Sequence, residues 1–423
     1  MSMQLLPDRA PNAVVASGLP ATEPGTDVAL RDAVRAIVDD VRTNGNAALQ
    51  AYATKFDGWQ HGAPWLIERA ELRKALDSLD GPTRDLLERT AGRIRDFAKA
   101  QRAALSDIVV PIAGGRAGHT VIPMSRAGCY APAGRHPLPS SLLMTAVTAR
   151  AAGVPEVVVA SPRPARVMLA AAAIADVDAI LAVGGAQAIA ALAYGVGVPA
   201  CDIVVGPGNR WVTEAKRIVS GDVAIDMLAG PSELVVVADG TADAAEVAAD
   251  LIAQAEHDTD AYVALVTTDA RFVDAVRIEL VLQLATLPTS ATARSALERG
   301  ASVLCTNDDE IVAVCDALAP EHLQLSVQDP EALAARIKNA GALFVGSRAA
   351  QVFGDYGIGG NHVLPTGRGA RFTGGLSALT FLRVRSWLAL DHSTIAAEDS
   401  AAFARLEGLE GHARAAERRL RLG

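Results

Sequence analysis

The chain runs through two hydrophobic rhythms. Over Asp27 to Arg42, apolar residues recur at helical spacing (Val28, Leu30, Val34, Ile37, Val38, Val41), and Asn44-Gly45 supplies a stop signal. Pro82 to Ala104 repeats the helical pattern with mixed charges on its outer face. From about Thr120 short β-branched runs alternate with Ala-rich helical runs. Strands are predicted at Glu156–Ala160, Ala179–Val183, Ile203–Val205, Leu234–Ala238, Val263–Thr267, Ser302–Leu304 and Leu343–Val345. Helices fill the gaps at Ser140–Ala152, Arg166–Ala175, Ala186–Tyr194, Arg210–Val219, Ala242–Glu256, Phe272–Leu284, Glu310–Leu318 and Glu331–Asn339. Strand–helix–strand repetition implies parallel sheets with right-handed crossovers. The number of strands predicts two α/β units, with a break near Gly230-Pro231. The last fifty residues return to helix and end in the basic stretch His412–Arg421.

Composition narrows the class. Half of the 423 residues are hydrophobic but only 4% are aromatic, so core volume comes from Ala, Val, Leu and Ile. That suits parallel strands covered by helices and excludes a disordered chain. With 39 Lys and Arg against 48 Asp and Glu, the net charge of -9 argues against a nucleic-acid partner. Cys129, Cys201, Cys305 and Cys315 are scattered, with no CxxC pair, which points to a reducing compartment. No basic-then-apolar leader opens the sequence, and no run of about 18 apolar residues occurs. The expectation is a cytoplasmic protein with no membrane partner.

Candidate chemistry gathers at a few places. Glycines cluster at strand ends, in Gly184-Gly185, Gly206-Pro207-Gly208-Asn209 and Asp355–Asn361. In parallel sheets such turns contact phosphates or cofactors. The full GxGxxG fingerprint is absent, since Trp211 occupies the third glycine position. Histidine is scarce, with eight in all. Gln254 and His257 are three apart and share a face if their helix continues, and two such groups can ligate a metal. Glu321-His322 follows a helix-breaking Pro320, which places the pair at a helix end, where it can act as base and water activator. Asp355, Asn361 and His362 lie in a loop richer in glycine than an ordinary turn needs. Glu407 and His412 are five apart and can face different partners. His61, His119, His136 and His392 show no evident partners and are read as surface or core residues.

Taken together these blocks resemble the histidinol dehydrogenase family, from about Val34 to the C-terminus. The resemblance rests on GGAQAIAALAYG from Gly184, GPGN from Gly206, GPSE from Gly230, AQAEHD from Ala253, APEHLQL from Ala319, GDYGIGGNHVLPTG from Gly354 and EGLEGHA from Glu407. It implies an α/β fold of two Rossmann-like parallel-sheet domains, with an N-terminal helical segment and a C-terminal helical tail exchanged between subunits. The implied divisions are four. Residues 1–115 form a helical segment packing on the zinc-site domain, and 116–230 a cofactor-binding domain. Residues 231–372 form a domain with the metal and catalytic residues, and 373–423 a tail contacting the partner. The implied protein is a homodimer with shared active sites, one zinc ion per subunit, and two NAD used in succession to oxidise a primary alcohol to a carboxylic acid through a bound aldehyde.

The same resemblance distributes roles. Zinc would be held by Gln254, His257 and Asp355, with His412 from the other subunit, and these residues would also border the substrate. His322 matches the general base, and Glu321 the residue that activates water. Ser232, His362 and Glu407 match substrate contacts, and Tyr130, Gln187 and Asn209 match NAD contacts. The chain departs from the family's usual residues at Ala133, Leu138, Trp211, Leu228 and Ile358–Gly360. The changes near Arg135–Leu138 resemble those of paralogues that oxidise dihydroxypropanesulfonate with the same machinery. Glu407 argues for histidinol, because a carboxylate pairs with an ammonium and repels a sulfonate. A non-catalytic metabolite-binding homologue is the remaining alternative. A role in histidine biosynthesis follows from the histidinol reading.

Overall fold

The computed structural model describes residues 4–18, 27–60, 62–132 and 137–422. His61, Ala133, Arg135 and His136 lie outside them. The chain opens with β1 (Asp8–Arg9) and α1 (Pro11–Ser17). Helix α2 (Val28–Asn44) starts where the Asp27 side chain accepts the Leu30 N–H at 3.0 Å. It stops at Gly45, whose φ of 56° suits a residue without a side chain. Next come α3 (Asn46–Asp57), β2 (Leu66–Glu68), α4 (Arg69–Asp77) and α5 (Gly81–Ala103). An antiparallel hairpin of β3 (Ile108–Ile112) and β4 (Gly115–Pro123) follows.

The first large sheet then begins. Its elements are β5 (Arg126–Tyr130), α6 (Pro139–Ala152), β6 (Glu156–Ala160), α7 (Arg166–Ile174), β7 (Ala179–Leu181), α8 (Gly185–Tyr194), β8 (Ile203–Val205), α9 (Arg210–Val219) and β9 (Ala224–Ile225). The strand order is β2-β7-β6-β5-β8-β9, parallel except for β2. The winding reverses at β5, so the crevice beside its carboxyl end is a switch point where such sheets bind ligands.

The chain passes to a second sheet between Ile225 and Glu233. That sheet uses β10 (Glu233–Ala238), α10 (Ala244–Ala255), β11 (Tyr262–Thr267), α11 (Ala270–Leu284), α12 (Ser290–Arg299), β12 (Ala301–Leu304), α13 (Asp308–Leu318), β13 (His322–Ser326), α14 (Pro330–Ala334), β14 (Ala342–Val345) and α15 (Gln351–Asp355). Its order is β1-β12-β11-β10-β13-β14, parallel throughout. Central β10 is buried along its whole length, as a strand covered by helices on both faces must be. The chain ends with β15 (Leu382–Leu390), α16 (Thr394–Leu406) and α17 (Glu410–Glu417).

Mixed α/β architecture with parallel sheets is therefore present, with three differences from expectation. Helices α2 to α5 pack chiefly on α6, α7, α8 and α9 of the first sheet, while α5 also reaches the segment after α15, where Arg93 Nε donates to the Gly357 carbonyl at 3.0 Å. The reason is the apolar face of α2, where Val34, Ile37, Val38 and Val41 join the core of Ile189 and Leu192. In the second sheet, β1 pairs with β12 and α1 packs on α13. The last fifty residues are not all helical either, because β15 pairs antiparallel with β4 over nine residues. Finally, β5 and β13 lie inside the sheets where no strand is predicted. Helix–sheet packing overrides the weak β-propensity of Gly128 and of the polar Gln324.

Phe381 fastens the antiparallel layer to the first domain. It is wholly buried beside Leu142, and its carbonyl accepts the Met124 N–H at 2.9 Å. Phe381→Ala is expected to cost about 3–5 kcal/mol in urea denaturation. A loss under about 1 kcal/mol would show that the layer is anchored elsewhere.

Candidate active site

Strand direction decides what can meet. In the second sheet all strands begin on one edge, and α10 runs back so that it ends there. Ser232 and Glu233 at the start of β10, Glu321 and His322 at the start of β13, and Gln254 and His257 at the end of α10 therefore converge. Helix α15 packs on α10 and β13 and brings Asp355. The loop after α15 crosses to the first domain. There Asn361 Nδ2 donates to the Met144 carbonyl at 2.8 Å, and His362 Nε2 lies 3.4 Å from Ser141 Oγ in the first turn of α6. The amino edge of the second sheet thus faces the carboxyl edge of the first.

His322 opens a strand, not a helix end as the Pro320 signal suggests. Helix α13 stops at Ala319, whose φ of 44° is the left-handed turn that Pro320 follows. A non-glycine residue in that region stores strain, as active-site turns often do. His322 Nδ1 is 2.9 Å from the Glu233 carbonyl. A carbonyl only accepts, so Nδ1 carries the proton and Nε2 keeps its lone pair. Nε2 points to Asp355, 3.9 Å from Oδ1. Burial above all pulls the His322 pKa down to about 4, and the nearby His362 and His257 act the same way. The ring is a neutral acceptor at physiological pH.

Glu321 is 6% exposed and its proton affinity is raised well above the carboxylate range, first by burial and also by neighbouring Glu233 and Asp355. Its Oε2 accepts the Glu233 N–H at 2.9 Å and lies 3.5 Å from His322 Nδ1. A buried carboxyl beside a neutral imidazole is an arrangement suited to passing protons.

Gln254 carries the clearest sign of a ligand. It is 1% exposed, yet neither its Oε1 nor its Nε2 has a hydrogen-bond partner among the described residues. Orphaned buried amides are costly and ask for an unseen partner. His257, just past the end of α10, opens to solvent on one side, while the protein around its other side lowers its pKa by desolvation. Burial raises the Asp355 pKa to about 7, and the Gln351 amide holds its Oδ2. Among the described residues no group of three His, Cys, Asp or Glu is placed to hold a metal. Gln254, His257 and Asp355 offer two such residues and one amide.

Tyr130, Gln187 and Asn209 stand at the carboxyl edge of the first sheet. The Tyr130 hydroxyl accepts the Gly185 N–H at 3.1 Å, Gln187 donates to Asp57 at 3.3 Å, and exposed Asn209 caps α9 through Trp211 and Val212. The loop from Gly206 is clamped at both ends of one residue. Asp226 accepts the Gly206 N–H at 2.8 Å, and Lys216, paired with Asp226, donates to its carbonyl at 3.0 Å. A Cβ on Gly206 would meet the Tyr130 carbonyl at 2.2 Å, at a φ of 115°.

Two expected residues lie apart. Glu407 and His412 are exposed on the tail, where α16 and α17 pack chiefly on each other through Ala401, Ala404 and Ala413. Sequence reasoning also missed Glu233, Gln351, Asp57 and the Lys216–Asp226 pair. Glu233 ends the GPSE block, where its charge stands just ahead of the predicted strand Leu234–Ala238. The others lie in ordinary helical or loop sequence.

Residues 22–420 match the family model described as histidinol dehydrogenase. The chain is 43% identical over 410 residues to histidinol dehydrogenase of Aromatoleum aromaticum, covering 95% of this chain and 93% of that one. It is 43% identical over 397 residues to the enzyme of Thermus thermophilus, covering 93% and 95%. The crystal structure of histidinol dehydrogenase from Elizabethkingia anophelis superposes with a TM-score of 0.90 at 28% identity, covering 98% of both chains.

Burial leaves a pH signature. Glu233 has a pKa of about 7 in the fold, raised by desolvation from an ordinary 4.5. The folded state then binds more protons than the unfolded one between those values, so this stabilising contribution is lost as pH rises toward 7. Glu233→Gln should remove on the order of 3 kcal/mol of that pH-dependent loss in urea titrations. Parallel stability curves for the two proteins would show that Glu233 does not titrate this way.

Proposed function

The chain belongs to the histidinol dehydrogenase family, and from that premise we propose that it oxidises L-histidinol to L-histidine with two NAD in succession. It is an NAD-dependent oxidoreductase acting on CH–OH. The observation that carries the site assignment is that a neutral, oriented His322 and the partnerless amide of Gln254 lie at the same edge of the second sheet.

His322 Nε2 takes the hydroxyl proton while the carbon gives its hydride to the nicotinamide, leaving an aldehyde. Holding Nε2 ready in one tautomer spares the reorganisation a mobile base would need. Glu321 takes a proton from water as that water adds to the aldehyde. The hydrate then gives a second hydride to a second NAD and its hydroxyl proton to His322 Nε2, which has released the first proton to solvent, and the products are the acid and a second NADH. The raised proton affinity of Glu321 makes its ionised form a strong base for this step.

Gln254, His257 and Asp355, with His412 of the partner subunit, fit a zinc ion in donor chemistry, being nitrogen and oxygen ligands without thiolate. The ion would supply a fixed positive charge that holds the substrate's imidazole and amine. Ser232, His362 and Glu407 are assigned to the substrate, with the Glu407 carboxylate accepting from the substrate's amino group. Tyr130, Gln187 and Asn209 are assigned to NAD, at the switch point beside β5. The relatives give no support to a sulfonated alcohol in place of histidinol. The tail's separation from the site in one chain supports a homodimer that exchanges it.

Two tests follow. Purified protein with zinc, NAD and L-histidinol should yield two NADH per substrate consumed. No NADH, or turnover of another alcohol alone, would end the histidinol reading. His257→Ala and His412→Ala proteins should each be inactive, yet mixing them should restore about a quarter of wild-type activity, since half of the mixed dimers' sites are whole. Absence of rescue in dimers shown to be mixed would refute shared sites.

A further inference from the structure

Glu233 is a costly residue with no obvious reason to be charged. It is 6% exposed at the first position of β10, and among the described residues no cation is paired with it. A carboxylate buried without a counter-charge is held against a large desolvation penalty. Yet each of its polar groups has a partner, and all of them but Gly367, in the loop after His362, belong to the active site. Its main-chain N–H donates to Glu321 Oε2 at 2.9 Å. Its main-chain carbonyl accepts from His322 Nδ1 at 2.9 Å. Its Oε2 accepts the main-chain N–H of Glu321 at 3.2 Å, and its Oε1 accepts that of Gly367 at 2.7 Å.

We propose that Glu233 is a positioning residue for the second oxidation, clasping Glu321 from both sides and tying it to the loop that carries His362. This rests on the roles given above to Glu321 and His322. The reason for a carboxylate is its valence. Two main-chain N–H groups, from two separate segments, converge on one side chain. Only a group with two acceptor oxygens and no donor satisfies both. An amide at that place would turn an NH2 toward one of them.

The clasp matters more for Glu321 than for His322. His322 is the first ladder residue of β13, paired with Leu234 on one side and Ala342 on the other. Glu321 lies one residue before the ladder. Its carbonyl accepts the Ala342 N–H at 2.9 Å, but its own N–H has the Glu233 side chain as acceptor. Loosening that contact lets the Glu321 carboxyl drift from the water it must activate, while the strand still holds the imidazole. Burial raises the pKa of both carboxyls, so the clasp also keeps two acids close enough for one to feel the other's charge.

The test separates the two half-reactions. The alcohol and the amino aldehyde are each offered with NAD to the zinc-loaded enzyme. Glu233→Gln should lower kcat for the aldehyde about tenfold, while kcat for the first oxidation of the alcohol falls less than about threefold. Equal losses in both half-reactions, or no loss in either, would overturn the proposal. If Glu233→Gln does not fold, Glu233→Asp keeps both acceptor oxygens on a shorter arm and carries the same comparison. Glu321→Gln is run beside it. Aldehyde oxidation at the wild-type rate in Glu321→Gln would remove the site reading itself. A block there with unchanged Glu233→Gln would remove only the clasp.

Discussion

The parallel pairing of β10 with β13, in the register that sets Leu234 opposite His322, is the constraint on which the site depends. It lays Glu233, the first residue of β10, beside Glu321, the residue just before β13, so the two exchange main-chain and side-chain hydrogen bonds. It also puts the Glu233 carbonyl where His322 Nδ1 must donate to it. A slip of one residue would turn His322 to the other face of the sheet. The tautomer of the base is thus a property of strand register and not of a neighbouring carboxylate.

Burial is used in two opposite ways around that pairing. For Leu234, Val235 and Val236 it is the driving force of the fold. For Glu321, Glu233 and Asp355 it is an expense that raises their proton affinity into the range of working acids and bases. The same desolvation lowers the pKa values of His257, His322 and His362 and keeps them free to accept protons or bind a ligand. Desolvation therefore moves acids and imidazoles toward each other on the pH scale.

Much of this was legible in the sequence. Strands such as Glu156–Ala160 and helices such as Arg210–Val219 announce themselves by β-branched runs and by the amphipathic pattern of a capped helix. Strand β13 did not, because His322, Gln324 and Ser326 put polar groups where a buried strand normally shows apolar ones. Those polar residues serve the site and its supports: Gln324 donates to Asp250 and accepts the N–H of Gln351, whose amide holds Asp355. Strand β15 was hidden in a tail that otherwise reads as helix, and its partner β4 lies some 260 residues earlier in the chain. Gln254 and His257 were visible as a spacing, but the orphaned amide that gives the spacing meaning exists only once α10 is buried. The side of the molecule on which the N-terminal helices pack was not legible, since an apolar face does not name its partner.

The meeting of a carboxyl edge with an amino edge has one more consequence. The assigned cofactor contacts approach from the first sheet, and Ser232, Glu321 and His322 from the second. Spent NADH can then withdraw along one wall of the cleft and a fresh NAD arrive by it, while the half-oxidised substrate stays gripped by the other. An aldehyde is reactive toward amines and harmful if released. An enzyme built from two opposed walls can change its oxidant in mid-reaction without letting that aldehyde go, which a single-sheet site open on one side would find hard to do.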